Sequence, residues 1–264
     1  MIRSTMSQRR TLAHTLFVTT VYTFLYIPIV IMVVYSFNNA TFPAPWQGFT
    51  LDWYRALWYE SDTLWEALSN SLIISCSAMI LSVIMGVCVI FYHAQHGRVS
   101  HMIRFFYVNL IVPEVVLAVG LLSLFSIAGI SLGKMTLVIA HTVLGLGYVI
   151  PIIYTRYQEL DYRLTEASLD LGATYGQTFR RIILPLLYPA LMVAGLLVFI
   201  ISFDDFVLSY FCAGPSATTL PLYILSMLKT GISPVVSALS TGLLVVSSLL
   251  VVGFCSLALR TRML

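Results

Sequence analysis

Charged side chains are scarce in this sequence. Asp, Glu, Lys and Arg make up 9% of its 264 residues, against about 25% in a typical soluble domain. Fourteen basic and eleven acidic residues cannot cover the surface of a water-soluble globule of this length. Cysteine is rare too. Cys76, Cys88, Cys212 and Cys255 form no C-x-x-C pair and lie near no histidine ladder. That excludes a disulfide scaffold and offers no metal or redox motif; the four read as small apolar fillers. A net charge of +3 is too small for a nucleic-acid partner. What is abundant is apolar: 59% hydrophobic residues and a mean hydropathy of +0.93. Disorder, collagen and nearly any soluble enzyme are thereby excluded. An integral membrane protein remains.

A helix needs about 20 apolar residues to cross a bilayer. Six runs meet that length: 16–37, 68–92, 105–127, 135–155, 186–203 and 235–259. The third is interrupted by Pro113 and Glu114, and the fifth stops at Asp204 and Asp205. The stretch Phe206–Leu228 is also apolar but is broken by Gly214, Pro215 and Pro221, as a short helix plus loop or a re-entrant piece. Barrel strands alternate polar and apolar residues, whereas these runs are continuous. The expected fold is therefore an all-α integral membrane protein with six transmembrane helices in a single domain, 1–264. The first run follows Arg3, Arg9 and Arg10, has no small-x-small cleavage site and reads as a retained anchor.

Cytoplasmic segments of membrane proteins carry an excess of Lys and Arg. With the N-terminus inside, 11 basic residues fall on cytoplasmic segments, against Arg55, Lys134 and Lys229 outside. Both termini are expected in the cytoplasm. All four tryptophans, Trp46, Trp53, Trp58 and Trp65, fall in the first outside loop, where Thr50 suits the N-cap of a short helix. The loop reads as an interfacial aromatic belt, compatible with a docking surface for an external partner.

The longest inside loop, 156–185, carries the most specific pattern. Leu160, Leu164, Ala167 and Leu171 are spaced 4, 3 and 4, one apolar stripe of a helix, while Glu166 and Asp170 project elsewhere. Gly172 suits a helix C-terminus. Thr174 and Gln177 match a capping box, so a second helix starts near Tyr175. The stripe either packs under the bundle or meets a partner. Glu166-Ala167-Ser168, three residues, Gly172, nine residues, then Ile182-Ile183-Leu184-Pro185 resembles the cytoplasmic loop of binding-protein-dependent ABC importer permeases, with Ser168 where that family has a second alanine. The resemblance implies a coupling helix that docks in a cleft of a cytoplasmic ATPase dimer. Leu164, Ala167 and Leu171 would fill the cleft, Glu166 and Asp170 would lie in the docking segment, and Gly172 would set the turn. The chain has no nucleotide site of its own. Ala128–Met135 comes nearest to a phosphate loop, but it has Ala for the first Gly, Met for Ser or Thr, and lies on the outer side. No cofactor or metal is expected in this chain; ATP and Mg²⁺ belong to the ATPase.

Glu114, Asp204 and Asp205 stand at or near membrane depth. A charge at mid-bilayer costs about 2.5–3.5 kcal/mol on insertion scales, so such residues usually face a cavity. The apolar runs hold no Lys or Arg to pair with them, which suggests a cationic ligand, with Phe203, Phe206 and Tyr210 adding cation–π contact. Other readings are helix caps or an outer headgroup position. Taken nearly end to end, the chain resembles the smaller, C-type permease subunit of spermidine/putrescine importers. The matching stretches are Trp46-Gln47-Gly48-Phe49-Thr50, Trp53-Tyr54, Pro113-Glu114, Asp170-Leu171-Gly172-Ala173, Asp204-Asp205, Gly214-Pro215, Leu220-Pro221-Leu222 and Ser233-Pro234. That family usually has Asp where this chain has Glu114.

The resemblance implies a multi-pass protein of the bacterial inner membrane. It also implies a polyamine cargo, a second related permease and a periplasmic substrate-binding protein, with the three acids as pathway residues. Ferric iron or an amino acid is the alternative cargo, because carboxylates and tyrosine can ligate iron. Anionic cargo fits poorly with three acids. An intramembrane aspartyl protease would need two Asp on separate spans, and a channel has no use for the cytoplasmic motif. Beyond lipid, no nucleic-acid contact is expected. If the loop is a lever, Gly172→Pro is expected to abolish ATP-driven uptake while the chain still inserts; uptake assays on membranes with matched amounts of protein check this.

Overall fold

The computed structural model describes residues 2–40, 44–59, 62–96, 100–230 and 234–261; Ser233, cited above, and Arg98 and Arg262, two of the 11 basic residues counted on cytoplasmic segments, lie outside them. Among the described residues regular structure is helical, apart from one antiparallel bridge between Asn38 and Phe49. In chain order the helices are α1 (Ile2–Tyr35), α2 (Asp52–Tyr59), α3 (Asp62–His96), α4 (Ser100–Asn109), α5 (Glu114–Ile127), α6 (Lys134–Gln158), α7 (Arg163–Asp170), α8 (Tyr175–Thr178), α9 (Leu184–Asp204), α10 (Val207–Cys212), α11 (Leu220–Thr230) and α12 (Pro234–Thr261), with a π-helical turn at Phe179–Ile183 between α8 and α9. They form two compact units, Met1–Asp62 with Ser226–Leu264, and Thr63–Leu225.

In the first unit α1 and α2 pack on α12. Phe17 and Phe24 of α1 are 70% and 76% exposed, a surface suited to lipid and not to water. Two buried polar residues shape the loop that follows. Ser36 Oγ bonds the Tyr54 hydroxyl at 2.7 Å, and Asn38 Oδ1 accepts the Gln47 N–H at 2.8 Å. Trp53 Nε1–H donates to the Asn38 carbonyl at 2.8 Å, and Phe37 stacks on Phe49. Thr50 Oγ1 accepts the Asp52 N–H at the start of α2, from one residue before the N-cap, which is Leu51 and not Thr50. Trp46 and Trp58 are exposed, while Trp65 belongs to α3 and not to the loop.

The second unit is built around α6, whose most apolar stretch is 72% buried. Small residues make that possible, because close backbone approach is what lipid-immersed helices trade on. A Cβ on Gly145 would stand 2.5 Å from Ser82 Oγ and 2.8 Å from Val198 Cγ1; one on Gly86 would stand 2.6 Å from Val149 Cγ1. Asn109 packs over Gly147 and donates from Nδ2 to the Val143 carbonyl at 3.0 Å. Ser82 Oγ donates to the Thr142 carbonyl at 3.2 Å. Ile90, Ile103, Val149, Ile153 and Leu187 form one apolar cluster; Ile74, Ala118, Phe125, Leu137 and Leu208 form another.

Among the described residues, four helical stretches are long and apolar enough to cross a membrane: His14–Tyr35, Asp62–His96, Lys134–Gln158 and Tyr175–Asp204. The run at 105–127 is not one straight helix. α4 and α5 meet at 108°, because Pro113 lacks an N–H and disfavours helical backbone at Val112. Counting that pair as one span gives five. In α12 the apolar stretch is Pro234–Leu249. The stretch 206–228 is broken, as its Gly and Pro residues indicated. At its turn Gly214 has φ +64°, and a Cβ there would collide with the Leu132 carbonyl, so only glycine fits. Asn70 Nδ2 donates to the Thr218 carbonyl and Ser71 Oγ accepts the Leu220 N–H, tying this loop to α3. Gly145→Ala is expected to destabilise the protein by about 1–3 kcal/mol through overpacking. Gly120→Ala, which meets nothing within 4 Å, is not; thermal unfolding in detergent compares the two.

Candidate functional site

Two interrupted helices meet in the second unit, and a carboxylate stands at each interruption. α9 ends at Asp204. Asp205 then takes an extended conformation, φ −69° and ψ 124°, and α10 starts at Val207. The Asp205 carboxylate turns back onto α10, accepting the Ser209 N–H at 2.9 Å and the Leu208 N–H at 3.4 Å. These amides have no partner within so short a helix, and a side-chain oxygen satisfies them. Asp205 is buried, and its Oδ2 lies 3.6 Å from His141 Nε2 on α6. Glu114 is the first residue of α5, directly after Pro113. It is half-buried, with the Asp205 side chain near enough to act on its charge. α10 packs against both α5 and α6.

The structure therefore joins Glu114 and Asp205 but not Asp204. Asp204 is exposed while its neighbour is buried. Phe206 and Tyr210 pair, ring centroids 5.5 Å apart, and both are exposed; Phe203 stacks on Phe199 instead. Asp205 is not an acid without partners: two amides and a histidine face it. No Lys or Arg forms an ion pair with any of the three acids among the described residues. His141 escaped the sequence reading. The only signal was that it is the one histidine in the uncharged run 135–155. Among the described residues no cluster of three His, Cys, Asp or Glu can hold a metal ion.

The cytoplasmic-type loop folds as helix, turn, helix. Asp161 Oδ1 accepts the Arg163 N–H at the start of α7. At its end the Ala173 N–H bonds the Ser168 carbonyl and the Gly172 N–H bonds the Leu169 carbonyl, with Gly172 at φ +85°, a Schellman closure. Thr174 and Gln177 then form the reciprocal capping box that opens α8. Ser168 faces inward, its hydroxyl 3.0 Å from that of Thr178. Thr178 donates to the Thr174 carbonyl, which leaves Ser168 as the donor between them. Leu164 and Leu171 are 45% and 90% exposed, and Glu166, Ala167 and Asp170 are exposed too. Leu160 differs: it precedes α7 and packs into the core. The stripe thus does not pack under the bundle. Pro185 follows the π-helical turn, where the Leu184 N–H reaches back to Phe179. A proline there removes one ladder hydrogen bond and crowds the carbonyl four residues earlier.

Residues 4–263 match the family of binding-protein-dependent transport system inner membrane components. The chain is 40% identical over 238 residues to the spermidine/putrescine transport system permease protein PotC of Escherichia coli K12, covering 89% of this chain and 90% of that one. It is 41% identical to the PotC of Haemophilus influenzae, at 89% and 92% coverage. It is 34% identical over 250 residues to the putrescine transport system permease protein PotI of E. coli K12, at 91% and 88%. The fold is similar to a chain of a bacterial ABC transporter involved in the import of the acidic polysaccharide alginate, with TM-score 0.68, 13% identity and coverage of 92% and 95%. At that identity the likeness speaks for the fold alone. With the family matching almost every residue and relatives at these identities along nine-tenths of its length, the chain belongs to the binding-protein-dependent transport system inner membrane components.

Proposed function

We propose that the chain is a permease subunit of an ATP-driven importer of polyamines such as spermidine and putrescine. The observation that carries the reading is the pair of acids Glu114 and Asp205 at two helix breaks whose helices α5 and α10 pack together, in a chain 40% identical to a spermidine/putrescine permease. Discontinuous helices are a recurrent way to build a transport site inside a membrane. A polyamine is a flexible apolar chain with separated ammonium groups. Glu114 and Asp204 supply accessible carboxylates, Asp205 adds a buried one near Glu114, and Phe206 and Tyr210 offer faces for cation–π contact. Each contact is moderate, as a path that must also release its cargo requires.

The two units act as parts of one permease of six spans, 16–37, 68–92, 105–127, 135–155, 186–203 and 235–259, with both termini in the cytoplasm. The third span is the bent pair α4–α5. The exposed face of α7, with Leu164, Glu166, Ala167, Asp170 and Leu171, docks on a separate ATPase dimer that binds ATP and Mg²⁺. A second, related permease completes the pathway, and a periplasmic binding protein delivers the cargo. ATP binding closes the cytoplasmic side through α7, and the pathway opens inward after hydrolysis.

Two measurements test this. Cells expressing the complete importer are expected to take up labelled spermidine and putrescine saturably and in an ATP-dependent way, and Asp205→Asn is expected to reduce that uptake at least about tenfold, the scale of losing a partner in a buried charged contact. Uptake equal in both removes Asp205 from the pathway; no polyamine uptake by an intact, ATP-hydrolysing complex turns the cargo question to iron and amino acids. For topology, a cytoplasm-active reporter fused after Leu264 is expected to be active, and a periplasm-active reporter inserted within 44–59 likewise. The opposite pattern overturns the orientation.

A further inference from the structure

α6 crosses the second unit with His141 as its one imidazole. That side chain has no exposed surface, and neither ring nitrogen makes a hydrogen bond within the described residues. A buried polar group without a partner costs stability, and a leucine of similar volume would fill the space without that cost. The nearest ionisable group across the helix interface is Asp205, with Oδ2 at 3.6 Å from Nε2. The same Oδ2 is held at 2.9 Å by the Ser209 N–H. The environment is polar on several sides. The hydroxyls of Ser202, one turn before Asp205 on α9, and of Ser209 are also buried without partners. Val198 faces Gly145 on α6, so one turn further along the two helices Ser202 reaches the level of His141.

We infer that His141 is a positioning residue for the cargo path, an inference that rests on the polyamine reading above. A small turn of either side chain brings its Nε2–H, now 3.6 Å away, onto Asp205 Oδ2 beside the Ser209 amide. That fixes where the Asp205 carboxylate stands against Glu114, and therefore how the half-buried Glu114 carboxylate is presented to an ammonium group. His141 itself does not touch the cargo. At 3.6 Å the pair is longer than a hydrogen bond, so a small turn of either side chain closes it. The separation of the two carboxylates follows from that turn.

The test is the kinetics of labelled spermidine uptake by the complete importer carrying His141→Ala, His141→Leu or His141→Gln, each alone and combined with Asp205→Asn. Glutamine places an N–H near the position of Nε2, whereas leucine restores volume alone. The expected result is a KM raised about tenfold in the Ala and Leu variants, with a smaller change in maximal rate, and a KM within about threefold of the original for Gln. Added to Asp205→Asn, His141→Ala is expected to cause no further loss of Vmax/KM, since coupled residues are not additive. The amount of assembled complex is measured alongside. Recovery by Leu and not by Gln marks a packing role and overturns the inference. So do an unchanged KM in His141→Ala, a full additional loss on top of Asp205→Asn, or failure of all three variants to assemble. Absence of polyamine uptake by the unaltered importer is a different result: it overturns the cargo reading first, and this inference with it.

Discussion

A helix that stops inside a membrane leaves amides that no water can reach, and each must find a partner within the protein. In the second unit α9, part of a stretch long and apolar enough to cross a membrane, stops at Asp204, and the Asp205 carboxylate is what makes the stop tolerable. It takes the Ser209 and Leu208 amides of α10, and in doing so it is drawn into the interface with α6 and placed beside His141. The break in α4–α5 is managed differently. Pro113 has no amide to satisfy, and Glu114 starts the new helix where an acidic side chain complements the helix dipole. Two breaks solved by carboxylates bring two carboxylates together. The backbone constraint thus accounts for the acidic centre whatever its cargo.

That centre holds its geometry only if α6 is rigid and central. Glycine and serine at the α3–α6–α9 contacts let the helices approach until a methyl group would collide. Van der Waals packing then replaces the hydrophobic drive that lipid does not provide. Asn109 over Gly147 shows the same device at the end of α4: a small residue opens the space, and a polar side chain enters it to bond a backbone carbonyl. The α4 end that leads into the break is thereby fixed to the helix that carries His141.

Much of this was legible in the sequence, for physical reasons that differ by element. The runs of α1, α3 and α6 are uninterrupted, and a long apolar run in lipid has few alternatives to a helix. The loop motif was legible because Gly172, Thr174 and Gln177 each have one backbone task, and the Schellman closure and capping box are where those tasks place them. Ser168, the departure from the family pattern, turned out to be buried and bonded to Thr178; nothing local announced a partner ten residues away. Leu160 fitted the stripe by spacing but belongs to the core, because α7 starts only at Arg163. The 108° bend was less legible. Pro113 marked a break, but an angle depends on what the two halves pack against. His141 was illegible for a similar reason. A lone histidine in an apolar run acquires meaning from a carboxylate 64 residues further along the chain.

The tertiary partners also separate two neighbours that the sequence could not tell apart. Asp204 and Asp205 are chemically identical, yet one closes α9 at the surface and the other caps α10 in the interior. Burial with three facing groups makes Asp205 a poor first contact for a mobile polyamine, since its lone pairs are already engaged. Glu114 is less enclosed, and its extra methylene extends the carboxylate further from the α5 backbone than Asp would. On the proposed reading, cargo affinity depends on where Asp205 stands relative to Glu114 as much as on the charge of either. On that reading, the longer carboxylate at 114 and the histidine 3.6 Å from Asp205 both adjust how the two acids stand to each other.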